Sequence, residues 1–128
     1  MFRIIMGLFL IAHGLVHLLY LGQSRKLFEL SSGMVWPDES WAFSSLLDQD
    51  AARRLASGFC LLAALGFALG GLASLFQAGW WRVVVIAAAA FSILLYVLFW
   101  DGTMHKLHDQ GLIGTLISLA VIGVVLRM

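Results

Sequence analysis

The feature that most constrains this chain is a succession of four long apolar stretches separated by polar segments. The stretches cover residues 2–22, 55–76, 81–100 and 111–126. A helix needs roughly 20 mostly apolar residues to cross a bilayer. Hydrophobic residues make up 62% of the chain and charged residues only 12%, a balance that excludes a soluble enzyme and a disordered protein. The sequence therefore predicts a single integral membrane domain over residues 1–128.

The lengths of the connections indicate how these stretches are arranged. Backbone groups in lipid must bond within their own segment, so each stretch is expected to be a helix. The connection at 77–80 is a tight turn, which predicts an antiparallel hairpin of the second and third stretches. We therefore predict an all-α fold, an antiparallel four-helix transmembrane bundle.

The polar segment 23–54 carries a pattern of its own. The Pro-Asp-Glu run at 37–39 is typical of a helix start, and apolar residues recur after it at helical spacing. These signals predict a short helix near 38–47 that lies on the membrane surface. Asp48 or Asp50 is expected to cap the second transmembrane helix.

The charges distinguish the two sides of the predicted bundle. Side A holds the start of the first span, the turn at 77–80 and the end of the last span. Side B holds the loops 23–54 and 101–110. Side B carries five of the Lys and Arg residues, side A carries three, and all seven acids lie on side B. Positive charge favours the cytoplasm, so side B is narrowly favoured there and the orientation stays open. The net charge of +1 lacks the basic excess that nucleic acid binding needs. The five tryptophans are expected to form an interfacial belt.

Small residues four positions apart mark a face where helices can approach closely. Gly66, Gly70 and Ser74 share such a face on the second span, and small residues promote helix packing in lipid. The face fits a compact bundle within one chain, and it also fits a homodimer formed through Gly66 and Gly70.

Two histidines lie inside the first span, where polar residues are costly and usually functional. His13 and His17 are four positions apart, so both imidazoles lie on one helix face. With a rise of about 1.5 Å per residue, His17 lies about 7–8 Å below the side-B boundary and His13 about 13 Å below it. Tyr96 and Thr115 are expected at the level of His17. Asp101 at the mouth completes a candidate ligand-binding layer that opens to side B.

This polar layer fits several kinds of chemistry and one purely structural role. Imidazole and carboxylate together suit zinc or iron. The candidate metal ligands are His17, His105, His108 and Asp109. Haem is disfavoured because only one span carries histidines. A quinone-like or other small lipophilic molecule fits a pocket where such groups bond its carbonyl. In the structural alternative, the histidines tie helices together through Ser92, Ser118 or a backbone carbonyl.

The first span also resembles a known family. The run Arg3-Ile-Ile-Met-Gly7-Leu-Phe-Leu-Ile-Ala-His13-Gly14 resembles the opening helix of DoxX-like membrane proteins, small four-helix proteins with an early arginine and a mid-helix His-Gly pair. In that family a lysine often follows the His-Gly pair, and His17 stands near that place here. Some members are named as subunits of quinone-linked oxidoreductases, so the resemblance implies a quinone-related or redox setting.

Residues 100–114 are similar to a stretch of uncharacterised small prokaryotic membrane proteins with four spans. The two resemblances imply a protein of the prokaryotic cytoplasmic membrane. The leading hypothesis is a His-lined pocket, open to one side, that binds a quinone-like or other small lipophilic molecule or serves a membrane redox partner. The alternatives are a non-catalytic accessory or scaffold subunit of a membrane complex, and an oligomeric small-solute transporter. The sequence leaves open whether the protein is an enzyme.

Overall fold

The computed structural model describes the backbone of the whole chain and all side chains except that of Asp109. The four α-helices are α1 (Phe2–Ser24), α2 (Gln49–Leu75), α3 (Trp81–Leu98) and α4 (Leu112–Arg127). A 3₁₀ turn, Leu107–Gln110, precedes α4. The described backbone contains no β-strand, so the prediction of an all-α fold with four helices is confirmed.

Three of the helices, α1, α2 and α3, are long and apolar enough to cross a membrane. Helix α4 is apolar but shorter, with 16 residues. The helices identify an integral membrane protein. Helix α2 begins at Gln49 rather than near 55, because its first turns are polar and extend beyond the apolar stretch. Asp48, one of the two residues predicted to cap this helix, is its N-cap. Its carboxylate accepts a hydrogen bond from the N–H of Ala51 at 2.6 Å.

Contacts between consecutive helices show that they run in alternating directions. Gly7 near the start of α1 lies against Gly71 near the end of α2. At the opposite end of α1, the hydroxyls of Ser24 and Ser57 are hydrogen-bonded at 2.7 Å. The later helices pair in the same way, through Gly66 with Ala88, Gly70 with Val85, Tyr96 with Gly114, and Arg82 with Met128. The predicted antiparallel arrangement of the four helices is therefore confirmed.

Small and polar residues are common inside the bundle, beside large side chains such as Phe67 and Leu95, and many other large apolar residues lie outside. In α1, Gly7, His13 and His17 are buried. On the opposite face, Leu8 and Leu15 are more than half exposed. Helices surrounded by lipid show this pattern because close approach of small residues, rather than burial of large apolar ones, holds them together.

Gly66 and Gly70, the candidates for a dimer interface, contact α3 of the same chain. A Cβ added at Gly66 would lie 2.9 Å from the Cβ of Ala88. One added at Gly70 would lie 2.6 Å from the side chain of Val85. The small-residue face therefore packs within the bundle, and a homodimer through the same face stays an untested prediction.

The long loop between α1 and α2 does not contain the predicted surface helix. Residues 38–47 form a series of turns, so that prediction is wrong. The N–H of Trp41 donates to the carbonyl of Trp100 at 2.7 Å. The hydroxyl of Ser40 donates to the carbonyl of Leu98 at the end of α3. These contacts between residues far apart in the sequence hold the loop against α3. The spacing of apolar residues within the loop cannot predict them.

A buried glutamine anchors the first half of this loop. Gln23 is fully buried in the last turn of α1. Its side-chain NH₂ group donates to the carbonyls of Met34 and Trp36, each at 3.2 Å, and its side-chain oxygen accepts from the N–H of Leu30 at 3.0 Å. A buried amide that is satisfied on several sides fixes the backbone around it. Gln23 thus holds the loop over the side-B end of the bundle.

An ion-pair cluster fixes the middle of the loop to α2. The carboxylate of Asp38 accepts two hydrogen bonds from the guanidinium of Arg53, each 2.6 Å long, and lies 3.4 Å from the ammonium of Lys26. Burial alone would raise the pKa of Asp38. The hydrogen bonds and positive charges of Arg53 and Lys26 outweigh burial and hold that pKa below its ordinary value.

Candidate functional site

The imidazole of His17 is fully buried, and both of its ring nitrogens are hydrogen-bonded. Nδ1 lies 3.1 Å from the carbonyl oxygen of His13, and Nε2 lies 2.7 Å from the hydroxyl of Ser92 on α3. Because a carbonyl can only accept, Nδ1 carries a proton, and in the neutral ring Nε2 accepts from Ser92. His17 therefore ties α1 to α3.

His13 makes a longer contact to α4. Its Nε2 lies 3.4 Å from the hydroxyl of Ser118, and the side chain is 5% exposed. The ring meets that of Phe67 edge-on, with 4.7 Å between centroids, and lies 5.2 Å from the ring of His17. The two imidazoles thus share one face of α1, as their spacing predicted, and each reaches a different helix.

These contacts are the ones that the structural alternative predicted. Ser92 and Ser118 are the partners of the two histidines, together with a backbone carbonyl. Two of these contacts, His17 with Ser92 and His13 with Ser118, join different helices, whereas the bond to the His13 carbonyl lies within α1. Neither histidine is among the residues that line the side-B cavity described below.

Tyr96 lies on the side-B flank of the histidines. Its ring centroid is 5.8 Å from that of His17, 5.1 Å from that of Tyr20 and 6.3 Å from that of Trp36. Tyr96 and Trp36 are each 3% exposed. The Tyr96 hydroxyl and the Trp36 indole N–H make no hydrogen bond to any described residue. A buried donor without a partner costs about 1–3 kcal/mol, so each of these two groups has an unused capacity to donate a hydrogen bond.

A cavity of about 280 Å³, here called the side-B cavity, lies between the long loop and the 101–110 loop. Its buried apolar lining comprises Met34, Trp36, Pro37 and Phe99. Its polar lining comprises Glu39, Asp101, His105, Lys106 and Gln110. An apolar cavity of about 150 Å³ holds benzene, so this cavity has room for one substituted ring. An apolar wall with a few converging polar groups is typical of a small-molecule site.

The predicted ligand-binding residues occupy different parts of the molecule. Asp101 lines the side-B cavity. Tyr96 lies beside the cavity wall, through its contact with a lining tryptophan. His13 and His17 lie deeper, between the helices. Thr115 is half-buried on the first turn of α4 and is not among the lining residues.

Asp101 presents a fixed carboxylate at the rim of this cavity. One of its oxygens accepts from the backbone N–H and the hydroxyl of Thr103, both at 2.8 Å. The backbone N–H of Asp101 donates to the side-chain oxygen of Gln110 at 2.8 Å. Burial alone would raise the pKa of Asp101, but the hydrogen bonds from Thr103, together with the nearby Gln110 and His105, outweigh it and hold the pKa below its ordinary value. The carboxylate is therefore ionised at neutral pH.

The candidate metal ligands do not come together in the described part of the chain. No group of three His, Cys, Asp or Glu residues that could hold a metal ion is found there. His17 is buried between helices, whereas His105 and His108 are exposed in the 101–110 loop. The side chain of Asp109 lies outside the described residues. The metal site stays a prediction without support from the described residues.

Sequence reasoning missed the contribution of Trp36. All five tryptophans were expected in an interfacial belt. Trp41 is 55% exposed, whereas Trp36 is only 3% exposed and Trp81 is also buried. The ring of Trp36 packs against Tyr20 and Phe99, with centroids 5.1 and 6.1 Å away. These partners are distant in the sequence, so no local pattern distinguishes a buried loop tryptophan from an interfacial one.

Comparison of the chain with known protein families, with characterised proteins and with solved structures finds no match. The resemblance of α1 to DoxX-like proteins therefore stays an expectation that comes from the residues alone. The function proposed below is therefore argued from the side-B cavity and from the hydrogen bonds of His13 and His17.

Proposed function

We propose that this integral membrane protein binds a lipophilic molecule that carries a carbonyl acceptor, such as a quinone head group, in the side-B cavity. The observation that carries the proposal is the indole N–H of Trp36. This tryptophan lines the cavity, is 3% exposed and has no hydrogen-bond partner among the described residues. A ligand carbonyl satisfies that donor and removes the free-energy cost of leaving it unpaired.

The rest of the lining suits the same ligand class. The rings of Trp36 and Phe99 offer an aromatic wall for a planar ring. The rim carries Glu39 and Lys106, both exposed, so polar substituents of the ligand remain near water. The cavity therefore favours a single ring with polar substituents over a purely hydrocarbon molecule.

The proposed role of the protein is binding, in the service of a membrane redox partner. His13 and His17 are engaged in interhelical hydrogen bonds, so they position the helices instead of lining the ligand pocket. The resemblance to DoxX-like proteins supports the redox setting and a prokaryotic cytoplasmic membrane.

The test uses protein purified in mild detergent and a short-chain benzoquinone as the probe, with binding measured by equilibrium dialysis. Trp36→Phe keeps an aromatic ring and removes only the N–H and part of the volume. We expect its affinity for the probe to fall about fivefold to tenfold, the effect of one lost hydrogen bond of about 1 kcal/mol or slightly more. Trp80→Phe is the matched control, because Trp80 is 50% exposed on side A.

Two results would overturn the proposal. One is the absence of saturable binding to the wild-type protein at millimolar probe. The other is an unchanged affinity in Trp36→Phe, provided that thermal unfolding shows the variant to be folded. His17→Ala is expected to lower stability more than it lowers the affinity of the folded fraction, because His17 does not line the side-B cavity.

A second candidate function, an accessory or scaffold subunit or a homodimer, is favoured by a groove on the lipid-facing side of α2 and α3. The groove measures about 270 Å³ and includes Gly66, Ala87 and Phe91. Ala87 is exposed, so Ala87→Leu fills the groove without entering the core. Loss of a dimer or of a bound subunit in Ala87→Leu, but not in the exposed neighbour Ala90→Leu, would favour this role over ligand binding alone.

A further inference from the structure

A second polar site lies on side B, at the adjoining ends of α1 and α2. It is a cavity of about 200 Å³ whose lining is entirely polar. The lining residues are Ser24, Arg25, Lys26, Asp50, Arg53 and Arg54. We call it the basic cavity. None of its residues lines the side-B cavity, so it is a separate site.

The cations of the basic cavity outnumber the carboxylates near them. Asp50 is the acid of the lining and lies 3.2 Å from Arg54, but these side chains are 74% and 72% exposed, so the pair contributes little. Asp38, outside the lining, contacts Lys26 and Arg53. Arg25 makes no ion pair with any described residue. Positive charge therefore remains available to a ligand.

The basic cavity lies at the depth of a lipid head group. It is formed where the apolar helices α1 and α2 leave the membrane on side B. Leu27 and Phe28, which follow α1, are 73% and 45% exposed, and Leu46, which precedes α2, is 76% exposed. Exposed apolar side chains on both flanks indicate that the bilayer interface reaches this level.

We propose that the basic cavity binds the phosphate of an anionic phospholipid head group in the side-B leaflet. Guanidinium groups match the geometry of phosphate oxygens and donate paired hydrogen bonds to them. Cations at the membrane surface are also attracted to anionic lipid. A phosphate bound there contacts both α1 and α2 and stabilises their pairing. The proposal is independent of the ligand proposed for the side-B cavity.

The experiment compares thermal unfolding of the detergent-purified protein with added phosphatidylglycerol, phosphatidylcholine of the same acyl chains, or inorganic phosphate. We expect phosphatidylglycerol alone to raise the unfolding temperature at matched concentration. Arg25→Gln with Arg54→Gln should weaken the apparent affinity for phosphatidylglycerol about 25-fold, since each surface cation contributes about fivefold. The control pair is Arg3→Gln with Arg127→Gln, which removes the same charge from side A.

The outcomes separate the site from general charge attraction. An unchanged response to phosphatidylglycerol in the side-B pair, or an equal loss in the side-A pair, overturns the proposal. If inorganic phosphate raises the unfolding temperature and phosphatidylglycerol does not, the ligand is not a lipid. Should the side-B pair fail to fold, Arg25→Gln alone gives the test, because Arg25 is exposed and makes no ion pair with a described residue. Its expected effect is about a fivefold weaker response.

Discussion

At the scale of single residues, the two buried histidines differ in how well they are satisfied. His17 has partners at 2.7 and 3.1 Å, whereas the contact of His13 with Ser118 is 3.4 Å long. Interhelical hydrogen bonds in lipid average about 0.6 kcal/mol and reach about 1.7 kcal/mol. A short, fully buried bond belongs near the upper end of this range, so the tie from α1 to α3 is the stronger one.

The matched substitutions Ser92→Ala and Ser118→Ala test this difference. Ser92→Ala leaves Nε2 of His17 buried without a partner, so we expect the free energy of unfolding to fall by about 1–2 kcal/mol. Ser118→Ala should lower it by about 0.5 kcal/mol or less, because the contact it removes is long. Denaturant unfolding in a single detergent gives both values. Equal losses of stability, or a larger loss for Ser118→Ala, would show that the His17–Ser92 hydrogen bond is not the stronger of the two.

At the scale of helices, α1 and α2 pair through glycines that allow their backbones to touch. A Cβ added at Gly71 would lie 2.7 Å from the carbonyl oxygen of Gly7. That oxygen belongs to the backbone of α1 and cannot rotate away. On the same helix, a Cβ at Gly58 would meet no atom within 4 Å. The two positions therefore differ in steric room, although both are glycines within α2.

Alanine at these two glycines should have opposite effects. Gly71→Ala forces α1 and α2 apart, and we expect it to lower the free energy of unfolding by about 2 kcal/mol. Gly58→Ala should raise it by up to about 1 kcal/mol, since alanine is the better helix former. Both changes are measured by unfolding in detergent. If Gly71→Ala proved as stable as Gly58→Ala, the close contact of α1 with α2 would be wrong.

The ion-pair cluster at Asp38 predicts how the long loop responds to acid. The lowered pKa of Asp38 means that its stabilising effect is present above the ordinary value of 3.8. The effect is lost as the pH falls through the still lower pKa of the folded state. We therefore expect limited proteolysis of the loop to accelerate below about pH 4. In Asp38→Asn the loop should be cleaved faster at neutral pH and should show less dependence on pH.

Glu39→Gln provides the matched control for this prediction. Glu39 is the exposed neighbour of Asp38 and forms no ion pair among the described residues. Its variant should keep the acid response of the wild-type protein. Identical pH profiles for Asp38→Asn and the wild-type protein would show that Lys26 and Arg53 do not anchor the loop.

The sequence predicts the helices better than it predicts the loop, for a physical reason. Helix positions follow from local apolar stretches, and the shared face of His13 and His17 follows from their spacing. The path of the loop depends on bonds to distant carbonyls, such as those from Trp41 to Trp100 and from Ser40 to Leu98. The side-B cavity is formed by that path, so its lining could not be predicted.

At the scale of the whole molecule, the alternating helices place the start of α1 and the end of α4 on the same side, side A. Helix α4 is about 24 Å long at about 1.5 Å per residue, which is short for a hydrocarbon core of about 30 Å. It nevertheless pairs with α3 along its length. The guanidinium of Arg82 at the start of α3 donates to the carbonyl of Met128 at 2.9 Å. We therefore propose that α4 crosses the membrane beside α3.

Reporter topology tests this proposal. A reporter fused after Met128 and one inserted at Gly79 should be found on the same side of the membrane. A third reporter, inserted at the exposed Ser32 of the long loop, should be found on the opposite side. The count of positive charges, five on side B against three on side A, only narrowly favours the cytoplasm for this third reporter, and the measurement decides the orientation. A reporter after Met128 on the side of Ser32 would show that α4 does not cross.

The measurement that tests the central claim most directly is mass spectrometry of the solvent extract from protein purified in mild detergent. The wild-type protein is compared with Trp36→Phe and with the control Trp80→Phe. Binding in the side-B cavity predicts a lipophilic carbonyl compound, in about a one-to-one ratio, from the wild-type protein and from Trp80→Phe. Trp36→Phe should retain clearly less of it. Extracts that contain only bulk membrane lipids, alike in all three proteins, would contradict the claim.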